Sequence, residues 1–315
     1  MTGNHPDAAT VSPLDPRVLT LAATLAAMLA GMYAGWQAIR DLEPARHGAA
    51  AGPALTPITA HSAEQLADRL NALGYDWPPG GPVPRIHVRA FPHDLDTLSV
   101  DRRKAVFFRS ILPLVLRENA GLRQQRGRLQ GLLGSGALPP PDSPDGRFLQ
   151  RMQERFRVSG DPGDAEVRRR LLRRVDTVPP ALALAQAANE SGWGTSRFTR
   201  EGNNLFGEWT YQPGEGMMPA RREEGATHRV RVFADLQASV RGYMHNLNAG
   251  SAYAELRRRR ARARAQGGTP DGLDLAGGLL RYSERGEAYV REIRAMIRQN
   301  DLHRLPALEL ADTRP

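Results

Sequence analysis

Cysteine is absent from the 315 residues. That excludes a disulfide framework, a thiolate nucleophile and a Cys-based zinc site, while leaving oxidising and reducing compartments equally open. Lysine is nearly absent too: Lys104 is the only one, and the remaining base is arginine. With abundant Ala, Gly and Pro this reads as genome composition, so arginine abundance alone assigns no function. The eight histidines show no HExxH or similar metal-ligand spacing, and no Walker or dinucleotide glycine pattern sits at a strand-to-helix junction. Neither a metal nor a nucleotide cofactor is therefore expected. The basic runs lack interleaved aromatics and no nucleic-acid fold motif accompanies them, which argues against a nucleic-acid partner. No internal repeat is found. What remains is a net charge of +9 and a pI of about 10.6, which favour an anionic partner such as carboxylates or lipid phosphates.

Val18 to Trp36 is uncharged and mostly apolar, with Arg17 before it and Arg40 after it. Its length is close to the roughly 20 residues that cross a bilayer as a helix, and Tyr33 and Trp36 suit an interfacial belt. The expectation is a tail over 1–17 and a membrane anchor over 18–40, with a cleaved signal peptide or a buried helix of a soluble fold as the alternatives. Residues 41–60 are rich in Ala, Pro and Gly, so 41–83 reads as a linker with one short helix from Ser62 to Leu73 (Leu66, Leu70 and Leu73 on one face). Residues 84–146 form a helical accessory region. It holds an extended piece near Ile86 and a long helix from Val100 to about Leu133, with Val106, Phe107, Ile111, Leu112, Val115 and Leu116 on its apolar face. A main domain over 147–302 and a tail over 303–315 follow. Within the main domain the period changes: Glu208 to Tyr211 and Thr227 to Phe233 alternate as strands do, between helices on both sides. The basic run Arg257 to Arg260, with Arg262 and Arg264, spreads around a predicted helix and reads as a solvated face; contact with anionic groups is the alternative.

The most informative residue is Glu190. It ends an Ala/Leu helix over Ala181 to Ala188, with Pro179 and Pro180 in the first turn and Asp176 or Thr177 as the expected cap. Such small side chains suit a tightly packed, buried helix. A carboxylate at its C-terminal end meets the negative end of the macrodipole and partial burial, and both raise its pKa. A general acid near neutral pH needs that. A solvated glutamate at a frayed helix end is the plain alternative. Gly192 and Gly194 then bracket Trp193, and Asn203-Asn204-Leu205-Phe206-Gly207 forms a second tight turn.

The string Glu190-Ser191-Gly192-Trp193-Gly194-Thr195-Ser196, followed closely by Asn204-Leu205-Phe206-Gly207, resembles the signature of the bacterial peptidoglycan β-N-acetylglucosaminidase domain of flagellar muramidases and autolysins. Pro84-Arg85-Ile86, Phe91-Pro92, Lys104 to Phe108 and Tyr282 to Tyr289 extend the likeness, over residues 84 to 302, to the Bax-type proteins of Gram-negative bacteria. The resemblance implies an α+β, mainly α fold: a lysozyme-like helical domain with a small antiparallel β-lobe, here preceded by an N-terminal membrane helix. It implies an endo-β-N-acetylglucosaminidase whose partners are peptidoglycan glycan strands, held at the inner membrane with a periplasmic catalytic domain. Glu190 would be the proton donor. A second acid on the β-lobe would be Glu224 or its neighbour Glu223, unless the substrate's N-acetyl group acts in its place. Trp193 and Phe206 offer platforms for sugar faces or pack in the core, Asn203 and Asn204 offer hydrogen bonds or simply form turns, and Tyr243 and Tyr282 match aromatic positions of the family pattern, with a structural role as the alternative for each. The alternatives are a lytic transglycosylase or muramidase of lysozyme-like fold, and a non-catalytic wall-binding protein.

Overall fold

The computed structural model describes residues 52–210, 216–218, 229–305 and 307–312. The segment expected to anchor the chain (18–40) and the carboxylates Glu223 and Glu224 lie outside the described residues. The described residues are mainly helical with two small sheets. In order come β1 (Thr56–Ile58), α1 (Ala63–Ala72), β2 (Ile86–Val88), α2 (Val100–Gly134), α3 (Pro144–Arg155), α4 (Ala165–Arg174), α5 (Pro180–Ser191) and α6 (Arg197–Gly202). They are followed by β3 (Trp209–Thr210), β4 (Arg229–Val230), α7 (Leu236–Ala249), α8 (Ala254–Ala265), α9 (Gly272–Ala276) and α10 (Glu287–Gln299). Among the described residues no helix is long and apolar enough to cross a membrane.

Part of the expected linker is in fact a strand. β1 pairs in parallel with β2, Thr56 opposite Ile86, because Leu55 and Ile58 find apolar surface against the core. In α1 Ser62 accepts a hydrogen bond from the Gln65 N–H, as a cap should, and Leu66 and Leu70 are fully buried. Leu73, assigned to the same face, instead ends the helix and is exposed. The apolar stripe of α2 is buried as its spacing predicts, from Val106 to Leu116. Among the described residues the antiparallel pair has Trp209 opposite Val230 and Thr210 opposite Arg229, with a further bridge from Met217 to Val230, while Glu208 and residues 231–233, expected in the strands, lie outside it.

α5 is the central helix. It packs against α2, α9 and α10, and its run from Leu182 to Ala188 is fully buried, where small side chains let several helices close on it. Its N-terminus corrects the expectation. Pro179 occupies the cap position without a side-chain bond, and Asp176 is a buried ion-pair centre instead. Arg264 grips it with two hydrogen bonds of 2.7 Å, while Arg260 and Arg126 approach at 3.5 and 3.7 Å. The basic run on α8 is correspondingly not a uniformly solvated face. Arg257, Arg260 and Arg264 recur at helical spacing on one side. Arg257 donates to Leu247 O and Gly250 O at the end of α7, and Arg260 to Arg173 O and Thr177 O. Burial lowers the pKa of Arg257 to about 9 and that of Arg260 to about 10. The carbonyls left over at helix ends explain why these cations are inside.

Candidate active site

The C-terminal end of α5 is built to stop abruptly. Ser191 is buried, donates to Ala187 O at 2.6 Å and accepts the Gly194 N–H at 2.9 Å. Gly192, Trp193 and Gly194 have successive φ values of +56°, +61° and +81°, so the chain reverses within three residues. A Cβ at Gly194 would lie 3.0 Å from both Leu95 and Phe91, which leaves glycine as the fitting residue. This reversal turns Trp193 toward α2. Its ring meets Phe107 and Phe108 edge-on at 5.8 and 5.2 Å, with Lys104 Nζ 5.0 Å from its centroid. Trp193 therefore packs under the reversal and does not line the cleft described below.

The second turn is equally determined. Ser196 caps α6, and Asn203 ends it at φ +52° while donating to Phe233 O. Asn204 is buried and brackets the hairpin. Its Nδ2 donates to Glu208 O and Arg231 O at 2.8 and 2.9 Å, and its Oδ1 accepts the Glu208 N–H at 3.0 Å. Neither asparagine reaches the cleft; both shape its rim. Phe206 stacks face to face on Tyr243 at 3.9 Å, which buries Tyr243 beneath it and outside the cleft.

The cleft has a volume of about 360 Å³ and lies among the end of α5, the entry to β3, the start of the turn after α7, and residues 282–292. Of the residues the sequence singles out, Glu190, Phe206 and Tyr282 line it, with Tyr289 from the Tyr282 to Tyr289 segment; Glu208, Trp209, Asn246, Tyr253, Arg285 and Glu292 line it too, and the sequence does not mark these as site residues. Tyr282 and Tyr289 stack at 5.2 Å, and the Tyr282 hydroxyl donates to Phe206 O. Arg285 pairs with Glu292 at 2.7 Å.

Glu190 ends a directional hydrogen-bond chain. Tyr243 donates to Gln186 Oε1 at 2.7 Å, Gln186 Nε2 donates to the Tyr289 hydroxyl at 2.9 Å, and Tyr289 donates to Glu190 Oε1 at 2.7 Å. Asn189 Nδ2 adds a long contact of 3.4 Å to the same oxygen. Burial raises the Glu190 pKa, the hydrogen bonds from Tyr289 and Asn189 oppose the rise, and the nearby Glu292 charge reinforces it. Glu208 is pushed up to about 7, again by burial, against the attraction of Arg231. One sequence signal could have revealed the chain: Gln186 is the lone polar residue of the Ala181–Ala188 run, and a buried amide requires partners. Among the described residues no cluster of His, Asp or Glu is arranged to hold a metal ion.

Residues 166–302 match the glucosaminidase family, described as mannosyl-glycoprotein endo-beta-N-acetylglucosaminidase. That span contains every cleft-lining residue named above. The chain is also similar to protein Bax of Escherichia coli (strain K12), 29% identical over 199 residues that cover 63% of this chain and 70% of Bax. No solved structure matches it.

Proposed function

We infer that this chain, a Bax-type protein carrying a glucosaminidase-family domain over residues 166–302, is a peptidoglycan hydrolase that cuts β-1,4 bonds on the reducing side of N-acetylglucosamine. The observation that carries the reading is Glu190: a largely enclosed carboxyl with a raised pKa, fixed by Tyr289 in a cleft walled by tyrosines. Cleavage of a glycosidic bond requires a proton on the leaving oxygen. Burial keeps Glu190 protonated closer to neutrality than an ordinary glutamate. Tyr289 and Asn189 both bond Oε1, which leaves Oε2 to carry the proton. Tyr282, half-buried in the cleft wall, offers an apolar face to a pyranose ring, and the buried Phe206 and Tyr253 back the cleft beside it. We read the pairing of a helix-terminal glutamate with a small antiparallel lobe as lysozyme-like. We further place the domain in the periplasm, tethered to the inner membrane through residues 18–40, so that deleting residues 1–40 would move the protein from the membrane to the soluble fraction with activity retained.

Mass spectrometry of peptidoglycan digested by the purified protein tests the cleavage. The expected products end in reducing N-acetylglucosamine. Products ending in N-acetylmuramic acid, or in its 1,6-anhydro form, would reassign the protein to the muramidases or lytic transglycosylases. Binding to sacculi with no soluble fragments would make it a wall-binding protein.

A further inference from the structure

A second carboxylate, Glu208, shares the cleft with Glu190 but arrives on a different element, at the entry to β3. Its placement is specific. Asn204 holds its backbone at both the N–H and the C=O. Room for its side chain comes from a glycine on α7: a Cβ at Gly242 would lie 2.8 Å from Glu208 Oε1 and 3.0 Å from Oε2. Among the described residues Oε1 is enclosed and has no hydrogen-bond partner, and Oε2 has only Arg231 Nη1 at 3.4 Å. An enclosed carboxylate with so little compensation is a cost to the fold. No packing need accounts for it, and such costs concentrate where chemistry is done.

The surroundings of the two carboxyls differ in sign. Glu190 faces the negative Glu292, which favours its protonated form, against the hydrogen bond it accepts from the Tyr289 hydroxyl and the more distant charge of Arg285. Glu208 faces the cation Arg231, whose attraction opposes the rise that burial imposes on its pKa, with the neutral Tyr253 and Tyr282 beside it.

We propose that Glu208 is the second catalytic carboxylate, the base that takes a proton from the water attacking the anomeric carbon. This rests on the glycosidase reading above. In the step, Glu208 accepts one proton from water as the water oxygen bonds to the anomeric carbon. The bond from that carbon to the leaving oxygen breaks, and Glu190 donates its proton to that oxygen. Water is added across the bond, and the two carboxyls exchange protonation states before solvent resets them.

The test measures reducing-end release from purified peptidoglycan between pH 4 and 9 for the parent, Glu190→Gln, Glu208→Gln, Glu208→Ala, Glu208→Asp and Glu224→Gln, each checked by thermal melting. The expected result is a loss of about 100-fold or more in Glu208→Gln, with the acidic limb of the pH profile abolished. Added formate, a small carboxylate that fits the vacated space, should restore at least about tenfold in Glu208→Ala. A purely structural residue would give neither signature, and a lost rate without them overturns the proposal. Should Glu208→Gln not fold, Glu208→Asp carries the decision: a rate lowered about tenfold with the acidic limb retained supports a base, and an unchanged rate overturns it. Glu208→Gln within about threefold of the parent, with Glu190→Gln or Glu224→Gln inactive, overturns Glu208 and leaves the glycosidase reading standing. Failure of the parent to release any fragment removes the glycosidase reading itself.

Discussion

Tyr289 donates its hydroxyl hydrogen to Oε1 of Glu190 at 2.7 Å, and it can do so only because Gln186, held in turn by Tyr243, occupies the hydroxyl's acceptor side. Three side chains from three helices thereby fix one oxygen of the carboxyl and aim the other.

Tyr289→Phe removes a hydrogen bond that stabilises the charged form of Glu190 and so lowers its pKa. Without it the Glu190 pKa rises further. An acid must be protonated to act, so the alkaline limb of the pH–rate profile should move to higher pH. The maximal rate should fall on the order of tenfold, because the carboxyl is no longer oriented. A limb that moves to lower pH would contradict the assigned direction of the hydrogen bond.

Glu208 should destabilise the protein at neutral pH. Its folded pKa, raised from 4.5 to about 7, means the folded state holds the proton more tightly than the unfolded chain. The resulting stabilisation is complete below pH 4.5 and lost as pH rises through about 7. Glu208→Gln should therefore melt at a higher temperature than the parent at pH 8, by the equivalent of about 1–3 kcal/mol, and at nearly the same temperature at pH 4.5. Thermal unfolding at the two pH values checks this; a variant less stable at pH 8 would contradict it.

Asp176 is the counter-charge for Arg264, Arg260 and Arg126. Burial alone would raise its pKa, but the hydrogen bonds from Arg264 and the charges of Arg260 and Arg126 hold it below the usual carboxylate range. Asp176→Ala leaves the fully buried Arg260 without its carboxylate, and should cost about 3–5 kcal/mol in chemical denaturation. A loss below about 1 kcal/mol would show that the backbone carbonyls alone satisfy the arginines.

The central helix and its terminal glutamate were legible because the Ala/Leu run, the flanking prolines and the following glycines are local signals that agree with one another. The α2 stripe was legible for the same reason: its period of 3.6 is carried by consecutive residues. What escaped depends on distant partners. Glu208 at a strand entry has no periodicity to mark it, and its position depends on Gly242, more than thirty residues further along the chain. Trp193 looks like a sugar platform until three successive positive φ values turn it onto α2. Asp176 has the composition of a cap, and the arginines of α8 that of a solvated face; only the packing of α8 beside α4 and the start of α5 makes them one buried ion-pair cluster. Around the hairpin the alternation ran further than the pairing among the described residues, where Trp209–Thr210 and Arg229–Val230 form the ladder and Glu208 and residues 231–233 lie outside it.

The account stands most directly on the proton carried by Glu190, and the release of soluble fragments from purified peptidoglycan by Glu190→Gln measures it. The substitution keeps the shape of the side chain and its place at the end of α5 while removing the acid. The account predicts unchanged melting behaviour and a rate lower than the parent's by about 100-fold or more. A folded Glu190→Gln protein working within about threefold of the parent would contradict it.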